Sequence, residues 1–511
     1  MRPANSRLAL CGALLGTVLF GCSGGETTAT PAPAVDPVVT PPVVTPPVVT
    51  PPGVTPPGAA REAAALGDSL PNGLLVATSQ FLVTDGRVTA TPGPARLDLV
   101  YRRGGEWRVE TLEDPDSNVF HKAMVYDPPG DAPPGILTVG GMGAEVKLWR
   151  RSPEGTWTAE VLWSAEFGGR WNRMRDVEVA PLFGAAPGPG GVIGDALAIA
   201  THDQGVVAIA SLRTAAGGTA AGGTAGGTAG GYEITELDRT ANTFVHEIEL
   251  GDLDGDGAIE IYATPSEPNS LEGGVTQHGE VVRYIPGTPG RTVVADLGNR
   301  HAKEILVDDV DGDGRDELYV AVEALTRGTG DAIEIAEPVE IRRYDAETPN
   351  TGGVVIATIR DRLTRFLTVG DVDGDGRREM VAAAFSSGLW LLRPGRDPRG
   401  EWSIENIDRE SSGFEHAALL TDLDGDHIDE LYVGSDNERE LRRYVWVNGR
   451  ARREVIREIA VARSLMTWNL MPFPVATFIP EAGAATPTGG APAPTGGPIG
   501  EAIGPGFGAG S

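Results

Sequence analysis

Asp252-Leu-Asp-Gly-Asp-Gly-Ala-Ile-Glu260 returns three more times in this chain, as Asp309-Val-Asp-Gly-Asp-Gly-Arg-Asp-Glu317, Asp371-Val-Asp-Gly-Asp-Gly-Arg-Arg-Glu379 and Asp422-Leu-Asp-Gly-Asp-His-Ile-Asp-Glu430. Each copy brings three Asp, at positions 1, 3 and 5, and a Glu at position 9 to one short turn. Four carboxylates so close repel one another unless a cation sits among them, and calcium, which takes six to eight hard oxygens, is the natural occupant. Position 6 must turn sharply, which Gly257, Gly314 and Gly376 allow; the fourth copy has His427 there, a residue better tolerated at positive φ than most.

Working outward, the same texture surrounds every copy. An apolar run precedes the loop (Ile248 to Leu250, Ile305 to Val307, Phe366 to Val369, Ala417 to Leu420), and a strand follows it (Glu260 to Ala263, Glu317 to Val322, Glu379 to Ala384, Glu430 to Gly434). A hairpin completes each unit: Val281–Tyr284 with Thr292–Leu297, Val339–Tyr344 with Val354–Ile359, Leu389–Arg393 with Trp402–Ile407, Leu441–Val447 with Glu454–Ile459. One loop and four short strands make a propeller blade. An EF-hand would need helices on both sides and Glu at position 12 of its loop.

Two earlier units keep strands without the carboxylates. One comprises His121–Tyr126, Gly135–Gly140, Val146–Arg150 and Trp157–Trp163; most of another comprises Arg175–Ala180, Asp195–Thr201 and Val206–Ser211. With unit starts at 127, 181, 252, 309, 371 and 422, the intervals are 54, 71, 57, 62 and 51 residues, and the outlier contains the Gly-Thr-Ala-rich insertion Thr214–Gly231. A seventh unit is divided between the ends. Leu74–Ala77, Arg96–Tyr101 and Trp107–Leu112 supply three strands, and the apolar segment Ser464–Phe473 supplies the innermost one. The expectation is an all-β, seven-bladed propeller over 66–479, with four-stranded blades and a first blade closed by a C-terminal strand, which removes free sheet edges.

The four loops resemble the FG-GAP or VCBS repeat of integrin alpha-subunit propellers and of many bacterial surface and secreted proteins, over most of 66–479. The resemblance implies calcium ligands at Asp252, Asp254, Asp256 and Glu260; Asp309, Asp311, Asp313 and Glu317; Asp371, Asp373, Asp375 and Glu379; and Asp422, Asp424, Asp426 and Glu430. It also implies ligation by the backbone carbonyls of Ala258, Arg315, Arg377 and Ile428. About four structural calcium ions are expected, and they offset part of a formal charge of -29. The charge that remains makes nucleic acid a poor partner.

The ends read as address and tether. Residues 1–21 have Arg2 and Arg7 ahead of an apolar run from Leu8 to Phe20, the form of a signal peptide. Leu19-Phe-Gly-Cys22 resembles a bacterial lipobox, which implies cleavage before Cys22, its acylation, and a membrane anchor at the outer membrane or cell surface, facing periplasm or exterior. Loss of Cys11 with the signal leaves one Cys and no internal disulfide. Residues 22–65 form a Pro/Thr/Val-rich stalk with Pro-Val-Val-Thr-Pro repeats starting at Pro37, Pro42 and Pro47. At about 3.1 Å per residue in polyproline II, it reaches on the order of 100 Å. Residues 480–511 form a Gly/Pro/Ala tail whose composition suits disorder.

A second pattern bears on function. Six residues before the first loop position of six units stand His121, Arg175, His246, Lys303, Arg365 and His416. If the first strands line the axis, these side chains ring one mouth of the central channel, where an anionic sugar, a phosphate or a second kind of metal would bind. The leading expectation is a monomeric, surface-tethered propeller that binds a glycan or envelope protein without chemistry, since no Gly-x-Ser-x-Gly or His-Glu-x-x-His motif is present. The alternative is a carbohydrate lyase or dehydratase with its site in the channel, because some such enzymes have propellers built from similar loops.

Overall fold

Each acidic loop joins two antiparallel strands, and the strand on its far side is apolar at every position between its ends. Glu317–Val322, Glu379–Ala384 and Glu430–Ser435 are buried throughout. Such a strand has a neighbour on both faces. In the fifth blade Leu318, Val320 and Val322 pack toward the fourth, while Tyr319 and Ala321 pack toward the sixth. Period 2 thus divides one strand between two cores.

The computed structural model describes residues 66–480, apart from 85–86, 129–131, 142–144, 165–166, 169–172, 184–194, 203, 213–231, 242, 266–277, 329–331 and 461–463. The signal, Cys22, the stalk, the tail beyond 480 and the Gly-Thr-Ala insertion lie outside the described residues. Among those described, seven antiparallel sheets of four or more strands follow the chain, with one small two-stranded sheet besides. The second blade is Phe120–Tyr126, Gly135–Gly140, Glu145–Arg151 and Trp157–Ser164; the third is Met174–Ala180, Ala196–Thr201, Val207–Leu212 and Tyr232–Asp238. The fourth blade is Ile248–Gly251, Glu260–Ala263, Gly279–Tyr284 and Thr292–Gly298; the fifth is Ala302–Asp308, Glu317–Val322, Val339–Tyr344 and Val354–Ile359. The sixth is Thr364–Gly370, Glu379–Ala384, Leu389–Arg393 and Ser403–Asp408; the seventh is Ala418–Thr421, Glu430–Ser435, Glu440–Val447 and Arg450–Glu458.

The first blade joins both ends of the described chain. Ser464–Pro474 pairs antiparallel with Asn72–Thr84, from Asn72 opposite Pro474 to Phe81 opposite Ser464, and Ala95–Arg103 and Glu106–Asp114 complete the sheet. Each innermost strand touches the next all the way round, from Ser464–Pro474 to Phe120–Tyr126 and finally from Ala418–Thr421 back to Ser464–Pro474. A separate apolar core fills each of the seven seams between adjacent blades, and the last of them sets Leu74, Val76 and Leu470 against Ala417 and Tyr432. The fold is a seven-bladed β-propeller.

Three elements were not visible in the sequence. The fourth strand of the third blade, Tyr232–Asp238, stands beyond the Gly-Thr-Ala insertion. Arg87–Pro92 folds back on Asn72–Thr84 as an extra edge, and Leu325–Arg327 with Glu334–Glu337 forms a small hairpin within the fifth blade. The described chain enters at Leu66–Asn72 and leaves through the helical turn Val475–Phe478, both on the face that carries the acidic loops: Asn72 N–H donates to Leu423 O at 3.3 Å, and Val475 N–H donates to Pro71 O at 2.9 Å.

Candidate functional site

The four acidic loops share one geometry, built on the first Asp. Its carboxylate accepts from the N–H of position 6 at 2.7 Å (Gly257, His427) or 2.8 Å (Gly314, Gly376). It accepts from position 5 as well, at 3.0 Å for Asp256 and Asp313 and 3.2 Å for Asp375 and Asp426. The position 5 carboxylates of Asp256, Asp313, Asp375 and Asp426 in turn accept from the N–H groups of Ala258, Arg315, Arg377 and Ile428. His427 takes φ 66°, the left-handed conformation that glycine adopts in the other three loops. The loops are therefore shaped by their own backbone donors.

Ligand oxygens of Asp309, Asp311, Asp313 and Glu317 converge within 4.8 Å of one another; so do those of Asp252, Asp254 and Asp256, of Asp371, Asp373 and Glu379, and of Asp422, Asp424 and Asp426. Hard carboxylate oxygens so placed fit a hard divalent cation. Glu260, Glu430 and Asp375 stand outside these groups. Both Glu are paired with an arginine on the third strand of the blade: Arg283 lies 2.9 Å from Glu260 and 3.0 Å from Asp254, and Arg443 lies 2.5 Å from Glu430. Arg343 holds the same place at 3.0 Å from Glu317 and 2.9 Å from Asp311, whereas Arg393 keeps 3.8 Å from Glu379. Tyr262, Tyr319 and Tyr432 donate to the Glu two residues before them. Burial pushes Glu317 up to about 8, and Glu379 and Glu430 up to about 7, so these groups resist ionisation unless a cation compensates. The arginines were open to view in the sequence, but their partnership crosses strands and only a strand register reveals it.

The opposite end of the first strands carries the basic residues, and a backbone irregularity aims several of them. In five blades the first strand has one extra residue relative to the second: His121, Arg175, Lys303, Arg365 and, in the terminal strand, Trp468. Such bulges redirect side chains. Trp468 lies six residues before the strand's last residue, Pro474, one more than in the other four blades, so counting six back from the residue after the strand lands on Asn469 instead.

These side chains come together and are bridged. Glu415 accepts from Arg365 at 2.9 Å and lies 3.6 Å from Arg175, linking the seventh blade to the sixth and to the third. Burial opposes ionisation of Glu415, yet Arg365 and Arg175, followed by His246 and Lys303, hold its carboxyl below the usual range. Arg175 lies over the Trp468 ring at 5.3 Å, and Trp468 meets His121 edge-on at 4.8 Å. His121 donates from Nδ1 to Met174 O at 2.5 Å, and burial, then Arg175 and Arg173, keep it neutral.

His416 is turned away from this group. With φ 56° its ring lies between the sixth and seventh blades, where Nδ1 donates to Ala384 O and Nε2 accepts from Ser411, both at 2.7 Å. Glu415 takes the inward place. One layer deeper, Lys122 pairs with Asp176 at 3.0 Å and with Glu178, in the field of Glu247 and Glu249. The outer layer of the channel is thus basic and the inner layer acidic.

Around the mouth, half-buried aromatic rings accompany cations. Arg365 lies over Phe414 at 4.5 Å and Arg362 over Phe385 at 4.6 Å, with Phe385 and Phe414 edge-to-face at 6.3 Å. Across the channel Phe244 packs on His202 at 3.7 Å, and Arg173 lies 2.8 Å from His202 Nε2. Each half-buried Phe ring carries a guanidinium group over one face, an arrangement that suits a flat molecule with anionic substituents.

No protein-family model matches the chain, and no curated protein matches it. Among solved structures, a Bacteroides uniformis protein provisionally assigned as a 6-phosphogluconolactonase is similar at TM-score 0.47 and 12% identity, covering 80% of this chain and 100% of its own. A Bacteroides fragilis protein with the same provisional assignment is similar at TM-score 0.46 and 11% identity, over 81% of this chain and 100% of that one. Saccharomyces cerevisiae Sqt1 is similar at TM-score 0.41 and 9% identity, over 70% of this chain and 79% of that one.

Proposed function

We propose that the chain is a calcium-stabilised propeller, held at a bacterial envelope by a lipid on Cys22, that binds an anionic glycan at the mouth opposite its acidic loops. The observation that carries the ligand class is the pairing of half-buried aromatic rings with guanidinium groups around that mouth, Phe385 with Arg362 and Phe414 with Arg365. Sugar rings lay C–H faces on aromatic carbon, and Arg holds carboxylates by paired hydrogen bonds. Both ends of the described chain lie on the other face, so neither covers the mouth. The calcium reading rests on the loop spacing, its resemblance to FG-GAP or VCBS repeats and the convergence of hard oxygens.

Binding of polyuronates and of neutral polysaccharides to the purified chain in calcium tests this function. Retention of polyuronates, reduced at least tenfold by Phe385→Ala with Phe414→Ala, is expected; equal retention of neutral polymers, or retention of envelope protein alone, overturns the glycan reading. Cleavage of the retained polymer would move the function to a lyase. The anchor is tested by incorporation of labelled fatty acid, which Cys22→Ser abolishes if the lipobox is used.

A further inference from the structure

A cleft of about 390 Å³ lies between the acidic loop of the fifth blade and the sixth blade. One wall is Val310, Asp311, Gly312 and Asp313. The other holds three arginines, Arg377 and Arg378 from the sixth loop and Arg396 from the turn between Pro394 and Pro398. Two features coincide at this seam alone. The fifth loop is the only one of the four whose Asp positions and Glu position all converge. The sixth loop is the only one with arginines at both positions 7 and 8, where the others have Ala258-Ile259, Arg315-Asp316 and Ile428-Asp429.

We propose that this cleft is a calcium-dependent site for a small oxyanion, a carboxylate or a phosphate monoester, separate from the channel mouth. It rests on the calcium reading of the loops given above. Arg378 is engaged with Asp308 at 2.5 Å and with Asp309 O at 3.4 Å, which fixes it at the floor of the seam. Arg377 and Arg396 are exposed on the cleft wall. Arg343 offsets only part of the charge of Asp309, Asp311, Asp313 and Glu317, so without a further cation this wall repels an anion drawn by those guanidinium groups. A divalent cation held by Asp309, Asp311, Asp313 and Glu317 offsets two of the charges on that wall, and the pull of the three arginines opposite then prevails. Linkage requires the converse: an anion in the cleft tightens calcium binding by the same factor.

The probes are glucuronate for the carboxylate and glycerol phosphate for the phosphate monoester, titrated by calorimetry into the full chain in calcium and in chelator. One or both should bind in calcium at least fivefold more tightly than without it, a coupling at the low end of what two linked sites show. Arg377→Ser with Arg396→Ser, both at exposed positions, should remove that calcium-dependent component and leave melting temperature unchanged. Phe385→Ala with Phe414→Ala, at the mouth, should leave it intact. Absence of any calcium-dependent component of anion binding, or its survival in the double arginine substitution, overturns the cleft site while the calcium reading and the mouth both stand. A chain that takes up no calcium in a direct titration removes the calcium reading and the cleft site together.

Discussion

The carboxylate of Asp316 accepts the backbone N–H of Asp252 at 2.7 Å. Position 8 of the fifth loop thereby fixes position 1 of the fourth, and the contact recurs along the belt: Asp429 accepts from Asp371 N–H at 2.9 Å, and Arg378 reaches back to Asp308. Burial pushes Asp316 up to about 6. Replacing it by Ala removes the acceptor for the residue that organises the neighbouring loop. The expected loss is about 1–2 kcal/mol, read by thermal melts, with a weaker calcium response than the parent chain shows. Asp316→Asn keeps an acceptor and should recover most of it.

Chelation should lower the melting temperature by several degrees, because a ligand that binds only the folded state at a hundredfold over its Kd contributes about 2.7 kcal/mol. Asp311→Ala removes a carboxylate from the loop with the fullest convergence and should reproduce part of that shift. Scanning calorimetry with and without chelator decides it. A melt that ignores chelator in both proteins leaves the loops without metal.

His416 predicts an acid slope. Burial lowers its pKa to about 4, from about 6.5 in the unfolded chain. The unfolded state binds the extra proton between those values, so this contribution is full above about 6.5 and is lost as pH falls toward 4, on the order of 3 kcal/mol in total. His416→Asn, which also tolerates positive φ, should flatten the slope in that window. Urea melts at matched pH provide the comparison.

Glu415→Gln leaves two buried guanidinium groups, on Arg365 and Arg175, facing a neutral amide. Breaking a buried ion pair from one side costs roughly 3–5 kcal/mol. Adding Arg175→Met should recover part of that loss, and a double-mutant cycle in denaturant measures the coupling.

The blades were legible because their signals are local. Asp at positions 1, 3 and 5 marks a loop within nine residues, and Val, Ile, Leu and Tyr runs mark the strands on either side. Closure was legible for a related reason: Ser464–Phe473 was apolar and left over, while Leu74–Ala77 lacked an inner partner. The channel was only half legible. Counting six residues back located His121, Arg175, Lys303 and Arg365, since the bulge repeats at a fixed distance from the loop. It selected His416 over Glu415 because the inward side chain there is decided by one positive φ, which leaves no trace in spacing. The arginines at 283, 343 and 443 meet their Glu partners through strand pairing, and no interval along the chain encodes that meeting.

The pairing of Asn72 with Pro474 also sets a timetable. The strand that seals the ring is the last β-strand of the described chain, so six blades can be complete while Leu74, Leu75 and Val76 still present an open edge. Any product that ends before residue 464 keeps that edge for its lifetime, and exposed strand edges recruit other chains or proteases. The closing strand is therefore a checkpoint on synthesis: only a chain extended through Pro474 can hide the first blade it made.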